Sequence, residues 1–332
     1  MPFPQTITGR LIAVITMGAF LLLLENRAGA ATYPQQRGDA APATSRTSTE
    51  VAVRLRARNE QIKVLVRGRP LVLHAYLPEA VSPDTPLVLF SSGSGGWHQF
   101  DDHIAQVFAE RGFPVCGIST HSYLKAFYSG KRPATPDEVG ADYAALIKQG
   151  RLTAGVDESR SVILAGWSLG AGYAVLVAAD PRIKPMVRGV VSVSISRDNE
   201  TVLTLRHRLM SRLTGKTFGP SFDVTAFLKS VSPVPIALIQ SKGDDSASPK
   251  HAQALIEEAQ QTQSESSRLF TANSARNHSF AGSESDFDQR LEEALDWITT
   301  RGRAGSSAGP SASDRLNRTL EPSFSPILQK LE

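Results

Sequence analysis

A serine stands between two glycines in the stretch Gly166-Trp-Ser-Leu-Gly170, which has the pattern Gly-x-Ser-x-Gly. The apolar run 162–165 precedes it, and small or apolar residues at helical spacing follow it. Strand, sharp turn and helix form the context in which such a serine serves as an exposed nucleophile. The pattern therefore predicts Ser168 as a nucleophile and the backbone N–H of Leu169 as a donor to an oxyanion. A tight glycine turn without chemistry is the alternative interpretation.

A serine nucleophile needs a general base, and the base needs a carboxylate that orients it. In this architecture both partners lie on loops after later strands, the acid first and the histidine second. His278 follows the last predicted strand and is the candidate base; an exposed loop histidine is the alternative. The loop after the preceding strand carries Asp244 and Asp245. We expect Asp245, four residues before the helix-opening Pro249, to be the acid, with Asp244 as the alternative. The aspartate that is not the acid is expected to form a turn that caps the next helix.

An acyl-transfer site also needs a second oxyanion donor. The glycine-rich loop 91–97 follows a buried strand, and the backbone N–H of Ser94 is the candidate. The same loop resembles a phosphate cradle, but no Gly-Lys-Ser/Thr follows it. No metal-ligand spacing is visible, and the predicted chemistry, hydrolysis of a carboxylic ester, requires no cofactor.

The elements around these residues alternate between strands and helices. Period-two alternation predicts antiparallel strands at 51–55, 61–66 and 71–77, with a turn at 58–60. Apolar runs predict buried strands at 86–90, 113–118, 162–165, 186–195, 234–239 and 267–271, and helices at 99–111, 136–149, 249–260 and 285–299. The predicted fold class is α/β: an α/β-hydrolase fold with a mostly parallel sheet, helices on both faces, antiparallel strands at its N-terminal edge and a lid-like insertion at 196–232.

The two ends of the chain differ from this domain, which we place at 51–300. Residues 1–30 combine Arg10, an apolar run and Ala28-Gly-Ala30, and we interpret them as a cleaved signal peptide, with a retained anchor as the alternative. Residues 31–50 are predicted to form a flexible linker and 301–332 a mobile tail. The predicted signal peptide implies that the protein is periplasmic or secreted. The single cysteine, Cys116, excludes an internal disulfide.

Charge limits the choice of partners. The net charge of +4 is spread over 332 residues without a dense basic stripe, so we expect no nucleic-acid partner. Within the insertion, a predicted helix carries Arg206, Arg208 and Arg212 among leucines. A basic amphipathic helix beside the cleft would suit an anionic phospholipid head group and peripheral contact with a membrane surface. A solvated surface helix is the alternative.

The sequence resembles the bacterial VirJ/AcvB virulence-protein family of α/β hydrolases. The resemblance covers roughly residues 86–298 and depends on Ser-Gly-Ser-Gly-Gly-Trp at 92–97, Phe-Pro-Val-Cys-Gly-Ile-Ser at 113–119, Ala-Gly-Trp-Ser-Leu-Gly-Ala at 165–171, Asp245-Ser and Asn-His-Ser-Phe at 277–280. It implies a periplasmic serine hydrolase acting on aminoacyl esters of phosphatidylglycerol, and an association with type IV secretion. The chain departs from the family where Trp-Ser-Leu at 167–169 replaces Tyr-Ser-Phe.

The leading interpretation is therefore an exported serine hydrolase with the catalytic residues Ser168, Asp245 and His278. We place the aromatic residues Trp97, Trp167 and Tyr123 with the three arginines of the insertion in the substrate-binding region. Two competing functions are a soluble carboxylesterase for small esters and a catalytically idle fold that serves as a binding or secretion-accessory component in the periplasm.

Overall fold

The computed structural model describes residues 57–196, 198–200, 221–245, 247–260 and 266–307. The predicted signal peptide 1–30, the linker 31–50, the arginines Arg206, Arg208 and Arg212, and the tail from 308 onward lie outside these residues. No helix in the described part of the chain is long and apolar enough to cross a membrane.

Ten strands and seven α-helices are found in the described residues. The strands are β1 Ala57–Val66, β2 Arg69–Pro78, β3 Leu87–Ser91, β4 Val115–Ile118, β5 Val162–Trp167, β6 Val187–Val193, β7 Asp198–Glu200, β8 Ser221–Asp223, β9 Ile236–Ser241 and β10 Ser267–Ala272. The helices are α1 Gln99–Glu110, α2 Thr120–Phe127, α3 Pro136–Ala154, α4 Leu169–Ala178, α5 Val224–Val231, α6 Pro249–Gln260 and α7 Glu284–Ser307.

Eight of these strands form one sheet in the order β1-β2-β4-β3-β5-β6-β9-β10. The pairs β1–β2 and β2–β4 are antiparallel, and every pair from β4 to β10 is parallel. The predicted α/β class, with antiparallel strands at the N-terminal edge, is confirmed. Because β3, β4, β5, β6, β9 and β10 run parallel, the loops that follow them meet at one edge of the sheet.

Both faces of the sheet are covered by helices, which explains why its central strands are apolar throughout. One core cluster joins the sheet to α2, α3, α4, α5 and α6 and contains Tyr123, Tyr143 and Tyr173. The second cluster joins the sheet to α1 and α7 through residues such as Phe108 and Phe287.

The structure differs from the sequence prediction at one turn, at one helix that was not predicted and at the end of the last helix. The turn expected at 58–60 lies inside β1, where Arg58, Asn59 and Glu60 pair with β2; an edge strand tolerates such polar residues on its solvated side. Helix α2 was not predicted, although Ser119 caps it by accepting a hydrogen bond from the Ser122 N–H. Helix α7 continues to Ser307, beyond the expected end at 299, into residues assigned to the tail.

The described part of the insertion contains two short paired strands and a helix. Strands β7 and β8 pair antiparallel, and Asp223 caps α5 by accepting a hydrogen bond from the Thr225 N–H. Phe222 and Leu228 are buried in the first core cluster. The ends of the insertion are therefore part of the domain.

Candidate active site

Ser168 lies between β5 and α4 in a strained backbone conformation. Its φ is +55° and its ψ is −118°, a region that non-glycine residues rarely adopt. A Cβ on Gly166 would lie 2.2 Å from the carbonyl carbon of Gly170, and a Cβ on Gly170 would lie 2.1 Å from the Ser91 carbonyl oxygen. The two glycines are therefore required by close approach of backbone, which explains the spacing of the sequence pattern.

The neighbouring backbone holds this turn in place. The Ser168 N–H donates to the Val193 carbonyl at 2.8 Å, and the Ser168 carbonyl accepts from the Ala171 N–H at 3.0 Å. Leu169 is the first residue of α4, so its N–H belongs to the positive end of the helix dipole. This end of the helix would stabilise a negative charge placed beside Ser168.

The side chains of His278 and Asp244 are in direct hydrogen-bond contact. Nδ1 of His278 lies 2.7 Å from Oδ2 of Asp244, whose side chain is fully buried. The other carboxylate oxygen, Oδ1, accepts from the Ala247 N–H at 2.9 Å. Because a carboxylate only accepts, Nδ1 carries the proton, and Nε2 is the nitrogen that can take one.

The carboxylate at His278 thus belongs to Asp244 and not to Asp245, which corrects the expectation from the sequence. The Gly243 N–H donates to the Ala275 carbonyl at 3.1 Å, which ties the acid loop to the histidine loop. A Cβ on Gly243 would lie 2.7 Å from the Cα of Arg276. Asp244 directly follows Gly243, and its side chain faces His278. Asp245 comes one residue later and is exposed. Gly243, the glycine directly before Asp244, was the feature of the sequence that could have identified Asp244 as the partner of His278.

Two side chains hold the main chain of His278. The indole Nε1 of Trp167 donates to the His278 carbonyl oxygen at 3.1 Å, and Oγ of Ser194 donates to the same oxygen at 3.3 Å. The rings of Trp167 and His278 have centroids 5.5 Å apart. Trp167, expected to bind substrate, therefore links the Ser168 turn to the loop that carries His278. The role of Ser194 was missed, because its left-handed backbone (φ +51°) has no sequence signal.

The glycine-rich loop containing Ser94 lies between β3 and α1, beside the elbow. Its first residues are tied to the start of α2, since the Thr120 N–H donates to the Ser92 Oγ at 3.0 Å and the Thr120 hydroxyl donates to the Ser92 carbonyl at 2.6 Å. The elbow contacts the same loop, because Gly170 packs against the Ser91 and Ser92 carbonyls.

Two residues expected near the substrate lie elsewhere. Tyr123 is fully buried in the core, where its hydroxyl donates to Asp142 at 2.9 Å. Trp97 stacks on the ring of His74 at 4.1 Å and its Nε1 donates to Asp102 at 2.7 Å. The Trp97 ring therefore packs on β2, which contains His74, and on β4, where a Cβ on Gly117 would meet the ring. Aromatic type alone does not distinguish these roles in the sequence.

The fold and the site define the class of protein. A serine turn after β5, a carboxylate after β9 and a histidine after β10, in a sheet of this strand order, are the arrangement of the α/β-hydrolase fold. Solved structures support the fold. They include the esterase Est1E from Butyrivibrio proteoclasticus, at 12% identity and a TM-score of 0.53, with 72% of this chain and 99% of that chain covered.

Two further structures agree. A putative dienelactone hydrolase from Klebsiella pneumoniae has 14% identity and a TM-score of 0.52, with 73% of this chain and 98% of that chain covered. The esterase domain of a Rhodothermus marinus protein has 16% identity and a TM-score of 0.50, with 72% and 97% covered. At these identities the likeness establishes the fold.

The family is established separately. Residues 85–258, just over half of the chain, match the model of the family described as bacterial virulence protein (VirJ). The chain belongs to the VirJ family, as its sequence resemblance predicted. No curated protein matches the chain significantly.

The close approach at Gly170 makes a prediction about stability. We expect Gly170→Ala to lower the free energy of unfolding by about 1–3 kcal/mol, the usual cost of overpacking, because its Cβ meets carbonyl oxygens that cannot move independently. Urea denaturation of the variant and the wild type measures the difference. Gly130→Ala is the control, since the nearest atom to its Cβ is the Arg132 carbonyl oxygen at an ordinary 3.5 Å. Equal stability of both variants would contradict a tightly packed elbow.

Proposed function

We propose that this protein is a serine hydrolase that cleaves carboxylic esters, with Ser168 as nucleophile, His278 as general base and Asp244 as the group that orients the base. The observation that carries the proposal is the 2.7 Å contact between His278 and the buried Asp244 carboxylate, together with the strained turn that holds Ser168 between β5 and α4. The His278 carbonyl is bonded to Trp167, the residue directly before Ser168, which supports the approach of imidazole to hydroxyl.

The proposed reaction proceeds through an acyl-enzyme. Nε2 of His278 takes the hydroxyl proton of Ser168 as Oγ forms a bond with the ester carbonyl carbon. Backbone N–H groups of Leu169 and Ser94 stabilise the oxyanion. The bond to the alcohol then breaks, and His278 returns its proton to the leaving oxygen. Water, deprotonated by His278, then attacks the acyl carbon. The bond between this carbon and Ser168 Oγ breaks, His278 returns the proton to Oγ, and the acid is released.

The first test is reaction with a fluorophosphonate probe, which forms a covalent bond with an activated serine. We expect the wild-type protein to be labelled and Ser168→Ala to be unlabelled, because the variant lacks the attacking oxygen. Mass spectrometry of the labelled protein locates the modified residue. Thermal unfolding of Ser168→Ala serves as the control for folding.

Absence of labelling in a folded wild-type protein would overturn the proposal and favour the idle binding or secretion-accessory function. Labelling at a residue other than Ser168 would overturn the assignment of the nucleophile.

The second prediction concerns the two adjacent aspartates. We expect Asp244→Asn to lower kcat for a p-nitrophenyl ester by roughly 10³–10⁴-fold, because an amide in this position stabilises the wrong imidazole tautomer. Asp245→Asn is the matched control and should retain wild-type kcat, since Asp245 is exposed one residue from the contact. The reverse result, with Asp245→Asn inactive and Asp244→Asn active, would show that the orienting carboxylate is Asp245.

We further propose an aminoacyl ester of phosphatidylglycerol as substrate and a periplasmic location. Membership of the VirJ family supports both, because the family resemblance implies them. The predicted basic helix with Arg206, Arg208 and Arg212 supports an anionic lipid surface as the place of reaction. We also propose a component of a secretion system as a partner, because the family resemblance implies one.

The lipid substrate predicts a preference that can be measured. We expect the protein to release amino acid from aminoacyl-phosphatidylglycerol in vesicles with a higher kcat/KM than it shows for short p-nitrophenyl esters, and Ser168→Ala to release none. Higher activity on the short esters alone would favour the small-ester carboxylesterase.

Binding to vesicles tests the contribution of the insertion. Replacement of Arg206, Arg208 and Arg212 by glutamine should weaken binding to vesicles of phosphatidylglycerol, and vesicles of phosphatidylcholine provide the uncharged comparison. Unchanged binding to the anionic vesicles would remove the basic helix from the proposal.

A further inference from the structure

Ser194 is a fully buried serine that stands directly after β6, outside the proposed catalytic residues. Its φ is +51°, in the left-handed region that glycine adopts readily and that costs free energy for other residues. Such conformations persist where the surrounding structure holds them, and they cluster at functional sites. A glycine at this position would be free of the strain, so the serine side chain supplies something that glycine lacks.

The hydroxyl of Ser194 has one partner among the described residues, the main-chain carbonyl of His278. Its Oγ donates to this carbonyl oxygen at 3.3 Å, and the indole N–H of Trp167 donates to the same oxygen at 3.1 Å. Burial of a hydroxyl costs free energy unless the hydroxyl is hydrogen-bonded. A glycine would avoid both this burial and the strain, but it would leave the His278 carbonyl with one donor fewer.

The backbone around Ser194 is bonded to segments on either side of β6. The Ser168 N–H donates to the Val193 carbonyl at 2.8 Å, and the Ser194 N–H donates to the Ile239 carbonyl at 2.9 Å. The side-chain amide of Gln240 donates to the carbonyl of the residue after Ser194 at 3.0 Å. The backbone that carries the Ser194 hydroxyl is therefore held against the nucleophile turn on one side and against β9 on the other.

The hydroxyl of Ser194 extends this fixed backbone to the loop after β10. The imidazole of His278 is bonded to Asp244 through Nδ1 at 2.7 Å, and this bond holds the ring. The bonds to the His278 carbonyl hold the main chain from which the ring projects. A general base must come within about 2.6–3.2 Å of the group whose proton it takes, so a small displacement of this main chain affects the reaction.

We propose that Ser194 is a positioning residue for the general base, because its hydroxyl holds the His278 main chain at a fixed place relative to the Ser168 turn. The inference rests on the proposed function, since it concerns the same reaction. Ser194 is not assigned a contact with any reacting atom, and its contribution is exerted through the carbonyl of His278.

Two substitutions separate the hydroxyl of Ser194 from its strained backbone. Ser194→Ala removes the hydroxyl and keeps the Cβ, whereas Ser194→Gly removes both. In either variant we expect roughly 10-fold lower kcat for a p-nitrophenyl ester with KM within about threefold of wild type, as for a displaced catalytic group. Ser194→Gly should have a higher melting temperature than Ser194→Ala, because glycine adopts a φ of +51° without strain. Activity thus follows the hydroxyl, and stability follows the backbone.

Ser192 provides the matched control, two residues earlier on β6. It is also fully buried, and its Oγ donates to the Ala171 carbonyl at 3.2 Å. Ser192→Ala therefore removes a buried hydroxyl that is bonded to a main-chain carbonyl other than that of His278. We expect Ser192→Ala to retain the wild-type kcat. The rate of fluorophosphonate labelling should fall with kcat in both Ser194 variants and stay unchanged in Ser192→Ala, because attack on the probe needs the same base.

Each result has a defined consequence. Wild-type kcat in the folded Ser194 variants, a loss in only one of them, an equal loss in Ser192→Ala, or an effect on KM alone would overturn this inference while labelling of wild type still supports the proposed function. If wild type is neither labelled nor active, the proposed function fails and this inference fails with it. Should Ser194→Ala not fold, Ser194→Gly, which is free of the strain, provides the hydroxyl-free comparison with Ser192→Ala.

Discussion

The arrangement of the site depends on one close contact between two loop backbones, at Gly243 and Ala275–Arg276. The amide of Gly243 is bonded to the Ala275 carbonyl, and its missing side chain lets the Arg276 main chain approach. Asp244 follows the first loop segment and His278 the second, so their side chains meet as a consequence of this contact. Parallel pairing of β9 with β10 brings the loops to the same edge, and the backbone contact then sets their register.

The nucleophile turn depends on a second close approach, between Gly170 and the end of β3. A residue with φ near +55° costs on the order of 1–3 kcal/mol, and surrounding structure must compensate for that cost. Here the compensation is packing of an apolar helix: all residues of α4 are buried between the sheet and the neighbouring helices. The helix is fixed by this burial, and the turn at its start is fixed with it. Strain at Ser168 is thus a local cost within a well-packed core.

The sequence predicted those features that depend on the periodicity of apolar residues and on the order of the loops along the chain. The α/β class, helix α6 and the order of serine, acid and histidine loops follow from apolar runs and turn residues. The sequence could not show which aspartate contacts His278. Asp244 and Asp245 are adjacent, so the composition of the loop and its spacing from the strand are nearly the same for either choice. The role of Tyr123 was missed for a related reason, since a buried tyrosine bonded to Asp142 and a cleft tyrosine have the same sequence context.

Trp167 shows how these contacts combine. Its indole N–H holds the His278 carbonyl, its ring packs against Gly93, and its backbone precedes Ser168. One side chain therefore contacts the base, the nucleophile turn and the loop that carries Ser94. A tyrosine at this position, the usual residue in the family resemblance, would present its hydroxyl at a different point from the indole N–H. Because Ser194 donates to the same carbonyl, the main chain of His278 retains a partner that does not depend on the residue before Ser168.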